Sequence, residues 1–171
     1  MPDLIGGNEC CFKCDKELFI RWIEATILMP IVQYSIPPWR FDEETVEISK
    51  RYTLLHMSLA EYYVQLAEKA MKYGEPIVYP LVLRNPEDDE CAVVNDEYLV
   101  GNFLAAPIVE KGNEEREVYL PKGIWVDFWS QKEVRGPARI TTEVPLDGLP
   151  LYVEAHDRAL LAVLKKVRKC F

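Results

Sequence analysis

The apolar residues of this chain change their spacing once, close to Gly74. Before that point they recur in steps of three and four, the spacing of one helix face. After it they come in short alternating or continuous runs separated by turn residues, the spacing of strands. Asp15 is placed to cap a helix over residues 16–29, which Pro30 stops. A loop, "YSIPPWRF", follows. Asp42 then caps a long helix over residues 43–73 with the stripe Ile48, Tyr52, Leu55, Leu59, Tyr62, Leu66 and Ala70. Glu43 and Glu44 stand at its positive end, Lys69 and Lys72 at its negative end, and Gly74 terminates it.

Strands are expected at 77–83, 98–109, 116–121, 123–129, 138–144 and 149–154, with turns at "NPEDDE", "EKGNEE", "PKG", "RGP" and "PLDG". Short strands at this spacing predict an antiparallel sandwich. Helices followed by strands, without alternation, predict two domains or parts of two, with the boundary between residues 74 and 80. The first part is short of material. Two helices, with one strand each at 1–5 and 30–35, offer too little surface to cover Phe19, Trp22, Tyr52, Leu55, Leu59 and Tyr62 together. It reads as part of something larger.

Several functions are excluded early. With 28 acidic against 20 basic residues the net charge is −8, the wrong sign for a nucleic-acid surface. The one basic cluster, KKVRK at 165–169, reads as a solvated helix end within a short amphipathic tail, or as a membrane-surface segment. No apolar run is long enough to span a bilayer, and residues 1–8 lack the basic start of a signal peptide. Of five cysteines, Cys10, Cys11 and Cys14 share one loop, while Cys91 and Cys170 stand apart. A single Cys11-x-x-Cys14 without a second pair or a nearby His does not predict zinc. A disulfide within the cluster or to Cys91 stays open. "PDLIGGN" at 2–8 lacks the Gly-Lys-Ser/Thr of a Walker loop and the three spaced glycines of a Rossmann turn. Its content is Asp3 followed by two glycines that permit a tight turn.

In order along the chain, "PDLIGGN", "KELFIRW", "MPIVQYSIPPWRFD", "LVGNFLAAPIVEKG" and "REVYLPKGIWVDFW" resemble the C-terminal part of glycoside hydrolase family 31, nearest its myogenesis-regulating branch. The resemblance covers residues 2–154. It implies the last βα units of a (β/α)₈ barrel over 1–74, a proximal antiparallel β-domain over 75–155 and a divergent basic helical tail over 156–171. "PDLIGGN" would be the loop after a late barrel strand, at the catalytic face, and "MPIVQYS" the last barrel strand. Asp3, Gln33 and Trp39 would then contribute to substrate binding, with Trp39 equally placed to pack beside Pro37 and Pro38. The substrate implied is an α-linked sugar, met in the full-length context. No cofactor is implied, and a secretory setting is compatible with the family.

Two departures matter. Retaining glycosidases need a nucleophile and an acid/base carboxyl. The motifs that carry them in the family, a Trp-x-Asp-type strand and a Trp-Gly/Thr-Gly-type stretch, are absent from these residues, so no catalytic residue is assigned. Where many α-glucosidases of the family carry Arg-Asn-His, this chain has Gln33, Tyr34 and Ser35. His56 lies on the long helix, packed or solvated, and His156 lies beyond the matched region. The chain alone is therefore expected to be inactive, as a segment of a retaining α-glycosidase. The alternative is a non-catalytic module that binds sugar or a partner through its β-domain, with Trp125 and Trp129 either stacking on sugar rings or packed in the core.

Overall fold

The computed structural model describes residues 2–7 and 13–168. Cys10, Cys11, Cys170 and the last residue of the basic cluster lie outside them, so a disulfide within the 10–14 cluster falls outside the described residues, whereas Cys91 is a buried free thiol and no bridge to it forms.

The elements follow the change of period. Helix α1 spans Lys16–Thr26, α2 Glu43–Ser58 and α3 Ala60–Tyr73. Strand β1 (Val78–Pro80) leads into two short helices, α4 (Leu81–Arg84) and α5 (Asp89–Val93). Then come β2 (Tyr98–Val100), β3 (Phe103–Ala105), β4 (Glu115–Asp127), β5 (Glu133–Glu143), β6 (Leu151–Glu154) and α6 (Arg158–Val167). Both expected caps are present. Asp15 accepts from the Leu18 N–H at 2.9 Å, and Asp42 accepts from the Thr45 N–H at 2.8 Å. Gly74 closes α3 in the left-handed conformation, φ 72°.

Several boundaries differ from the sequence expectation, each for a local reason. Helix α1 stops three residues early, where the Thr26 hydroxyl bonds back to the Trp22 carbonyl at 2.8 Å and the Met29 N–H turns to the Thr26 carbonyl at 2.8 Å, one residue short of Pro30. The single helix expected over 43–73 is two, broken at Leu59 (φ −94°, ψ 6°), whose N–H turns to the His56 carbonyl. The expected strand at 77–83 continues past Pro80 as a helical turn, and the run at 98–109 folds back at Gly101 into two strands. The two runs at 116–121 and 123–129 are one strand, β4, with a register shift between Leu120 and Gly123.

The antiparallel pairing is as expected, but the sandwich is not two separate sheets. All six strands belong to one sheet in the order β1-β2-β3-β6-β4-β5. Period-two alternation gives it two apolar faces. Val100, Phe103, Ala105, Leu151 and Val153 face the helices, joining Phe19, Ile23, Ile48, Tyr52 and Leu55 in the larger core. Leu99, Leu104 and Tyr152 face the opposite way. That second face is closed by the early half of β4, through Val118, Tyr119 and Leu120, together with Leu81 and Cys91. The long hairpin of β4 and β5 thus supplies the second layer from within the same sheet.

The tail is a helix, as expected, but its apolar face is not free. Leu160 and Leu164 are buried in the core shared with the other helices. Arg168 donates Nη1 to the Trp129 carbonyl at 3.0 Å. That face is spent in the core, while Val163 on the same helix stays 39% exposed. Among the described residues no helix is long and apolar enough to cross a membrane.

Candidate functional site

Residues 2–7 and 33–35 run side by side. The Ile5 N–H donates to the Gln33 carbonyl and the Ser35 N–H to the Ile5 carbonyl, both at 2.9 Å, giving a parallel bridge between Ile5 and Tyr34. The chain links the two through α1. Parallel neighbours need a crossover of this kind, because a tight turn cannot join them. Where strands were expected at 1–5 and 30–35, this single bridge is what forms.

Ser35 fixes the loop that follows Ile5. Its hydroxyl donates towards the Gly7 carbonyl at 2.6 Å and the Ile5 carbonyl at 3.2 Å. Gly6 has φ +93°, and a Cβ on it would lie 2.8 Å from the Ile36 side chain. Gly6 is thus needed twice over, for the left-handed backbone and for contact with Ile36, and Gly7 for its own left-handed backbone, φ +62°. Asp3 stands just before this turn, exposed, its carboxylate accepting from the Leu4 N–H at 2.8 Å. Gln33 is exposed on the adjoining segment.

Trp39 is 76% exposed on the turn Pro38–Arg40. Packing beside the prolines, the second reading open to it, does not bury it. It borders an apolar hollow of about 540 Å³ with Tyr34, Pro37, Pro38, Val46 and Leu54. The Tyr34 hydroxyl lies 3.1 Å from Thr53 Oγ1 on α2, and burial pushes its pKa up. The structure therefore sets Asp3 and Gln33 on neighbouring backbones, with Trp39 at the adjoining hollow and Ser35 touching both.

The tryptophans of the sheet behave otherwise. Trp125 is 2% exposed and donates its indole N–H to the Pro121 carbonyl at 2.8 Å. Trp129 is half-buried and donates to the Leu149 carbonyl at 2.6 Å. Both indoles are anchored to backbone carbonyls, and the buried Trp125 offers no face to a sugar ring. His56 is packed, with Nδ1 2.9 Å from the Ile27 carbonyl and its ring beside Tyr63. His156 is exposed against Glu154 at 2.8 Å. Among the described residues no group of three or more His, Cys, Asp or Glu is placed to hold a metal.

Two buried carboxylates carry no motif. Glu24 is fully buried, 3.0 Å from Arg21 Nη1 and 3.1 Å from the Tyr52 hydroxyl, and burial raises its pKa to about 7 against the pull of Arg21. Glu97 accepts from the Tyr119 N–H at 2.8 Å, and burial likewise raises it to about 7. The sequence signal for the first is two charges, Arg21 and Glu24, inside the run "LFIRWIEATI". Charged residues on an apolar helix face are buried only with partners.

Comparison with known proteins places this geometry in a family. Residues 74–157 match the model of the glycosyl hydrolase family 31 C-terminal domain. The mouse myogenesis-regulating glycosidase is 35% identical over 158 residues, which are 86% of this chain and 22% of that protein. A family 31 sulfoquinovosidase from E. rectale, solved with an aza-sugar inhibitor, superposes over 98% of this chain and 26% of its own, with TM-score 0.87 and 27% identity. A Flavobacterium johnsoniae family 31 dextranase, solved with isomaltotriose, covers 81% of this chain and 18% of its own at TM-score 0.77 and 33% identity. The chain thus spans about a quarter or less of the length of the relatives it matches. On this match, and on a sheet that carries the family's C-terminal domain, the chain belongs to glycoside hydrolase family 31.

Proposed function

We infer that this chain is a segment of a retaining α-glycosidase that hydrolyses O-glycosyl bonds in carbohydrate metabolism. Residues 1–74 are the last βα units of its (β/α)₈ barrel, residues 75–155 its proximal β-domain, and residues 156–171 its divergent tail. The observation that carries the reading is the parallel bridge of Ile5 and Tyr34 joined through α1. Parallel strands are found buried within larger sheets with helices over them, and a lone pair calls for more strands on either side. In a (β/α)₈ barrel the residues just past such strands form the substrate face.

Asp3, Gln33 and Trp39 then line one wall of the sugar site. Asp3 accepts hydrogen bonds from sugar hydroxyls, Gln33 donates and accepts, and Trp39 offers an aromatic face. Sugar-bound relatives support this use of the site. Neither catalytic carboxyl motif is present in these residues, so the chain by itself has no nucleophile and no acid/base.

The test is an assay of the purified chain on aryl α-glycosides. No turnover is expected. Turnover that disappears on Asp3→Asn would overturn the reading. In parallel, an antibody against residues 112–132, used on extract of the source organism, should reveal a polypeptide several times longer than this chain. A native species of this size would instead favour the non-catalytic module.

A further inference from the structure

The segment between β5 and β6 lies across the helices, and four ties hold it there. Arg21 donates Nη2 to the Val144 carbonyl at 2.9 Å and Nη1 to the Pro145 carbonyl at 3.0 Å. The Leu149 N–H donates to the Tyr52 hydroxyl at 3.0 Å. Arg51 pairs with the Asp147 carboxylate at 2.8 Å. A further contact depends on where one hydrogen goes. The Tyr52 oxygen lies 2.9 Å from the Asp147 carbonyl and 3.1 Å from Glu24 Oε1.

A phenol has a single hydrogen to donate. An ionised Glu24 can only accept, so it competes with the Asp147 carbonyl for that hydrogen. A protonated Glu24 reverses the polarity. It donates to the Tyr52 oxygen, and the Tyr52 hydrogen is left for Asp147. Tyr52 then donates once and accepts twice, from Glu24 and from the Leu149 N–H, while Glu24 Oε2 still accepts from Arg21 Nη1 at 3.0 Å. Only the protonated arrangement gives each of these contacts a donor and an acceptor. In such a buried cluster, a polar group left without its partner is costly.

We propose that Glu24 and Tyr52 form a proton-operated latch between the helices and the β5–β6 segment. A proton on Glu24 clamps the Asp147 carbonyl to Tyr52. Loss of the proton turns the Tyr52 hydroxyl towards Glu24 and slackens residues 145–149. Among the described residues, the charged and titratable groups reaching this point include Arg21 from α1, Tyr52 and Arg51 from α2, and Asp147 from the segment itself. Arg21 favours the ionised carboxylate and Asp147 disfavours it, but burial outweighs both. The switch therefore falls near neutrality. Because the segment leads directly into β6, the latch sets how firmly the sheet is docked on α1 and α2.

Amide hydrogen exchange on the whole chain reads the latch at Leu149. After correction for intrinsic exchange, protection there should fall about fivefold between about pH 6 and about pH 8, the worth of one net hydrogen bond. Glu24→Gln keeps a donor towards Tyr52 at every pH, so its protection should stay level over the same range. Glu97 titrates in the same window but belongs to both proteins equally. An equal fall in both, or no fall in the wild type, overturns the proposal. Should Glu24→Gln not fold, a carbon-13 titration of the Glu24 carboxyl in the wild type decides. A midpoint near 7, tracked by the Tyr52 ring signals, supports the latch. A carboxyl already ionised at about pH 5 rejects it.

Discussion

The sheet region and the helical region of this molecule are finished to different degrees. The sheet is covered on both faces, by the helices on one side and by its own β4–β5 hairpin on the other. The exposed positions of β5 alternate strictly with half-buried ones, and the outward residues include Glu133, Arg135, Arg139 and Glu143, which discourage a further strand. The helices are covered on one side only. Trp39, Leu54, Met57 and Val64 stand at 76%, 41%, 64% and 58% exposure along the turn before α2 and down α2 and α3. Folded domains rarely present large apolar side chains in such continuity without a partner surface. The sheet region thus carries its own closure, whereas the helical region leaves a run of large apolar side chains uncovered.

The shared core is the place to break that comparison hardest. Phe103 is fully buried on the sheet face that meets the helices, edge-on to Tyr62 with ring centres 5.8 Å apart. Phe103→Ala removes a large aromatic where the layers interlock and should cost about 3–5 kcal/mol in denaturant unfolding. Loss of both regions in one transition would show that they fold as one unit. Two separate transitions would show the sheet standing alone.

Acidity should separate the regions next. Glu24 sits where helices and sheet meet, and Glu97 lies wholly within the sheet region, yet burial raises both to about 7. Each folded-state pKa lies above the ordinary glutamate value. Between the two values the folded chain holds protons that the unfolded chain has released. Stability is therefore fully present below about pH 4.5 and declines as pH rises through about 7. Glu97→Gln should flatten this decline by about 1–3 kcal/mol across the window. An unchanged slope would mean that Glu97 is ionised in the folded chain, balanced by Arg116 at 4.0 Å.

A smaller effect is expected at the turn where α3 meets the sheet. Gly101 has φ +55°, and a Cβ there would lie 2.2 Å from the Tyr62 hydroxyl, which itself accepts from the Asn102 N–H at 2.7 Å. Gly101→Ala should cost about 1–2 kcal/mol, from left-handed backbone strain and a displaced tyrosine. Thermal unfolding measures it. A neutral result would mean that α3 gives way freely, and the joint between the regions is softer than its hydrogen bonds suggest.

How much of this was legible in the sequence varies with the range of the interaction. The caps at Asp15 and Asp42, the Gly74 stop and the antiparallel strands follow from local chemistry and were readable. The break at Leu59 was not, because the apolar stripe continues through it in register. Trp125 and Trp129 alternate as core and sugar-binding aromatics both would, and only their carbonyl partners at Pro121 and Leu149 decide. At the candidate site, the turn at Gly6 was foreseen, but not its reason, the Ile36 side chain pressed against it. The ties of Tyr52 to residues 24, 147 and 149 join positions far apart in the chain, so no window of sequence contains them.

The smallest effect is the one that most sharpens the comparison. Trp39 is a large aromatic, and in a finished core its removal would rank with Phe103. It stands instead beside an open apolar hollow with three-quarters of its surface in water. Trp39→Ala should leave the unfolding midpoint of this chain within about 0.5 kcal/mol of the wild type. It should also reduce self-association, since one apolar patch has been trimmed. If the barrel reading holds, the same substitution in the longer polypeptide should again spare stability but weaken sugar binding, because Trp39 then lends its exposed face to the substrate. A large loss already in the short chain would mean that Trp39 packs here in solution, and the open side of the helical region would be closed by this chain itself.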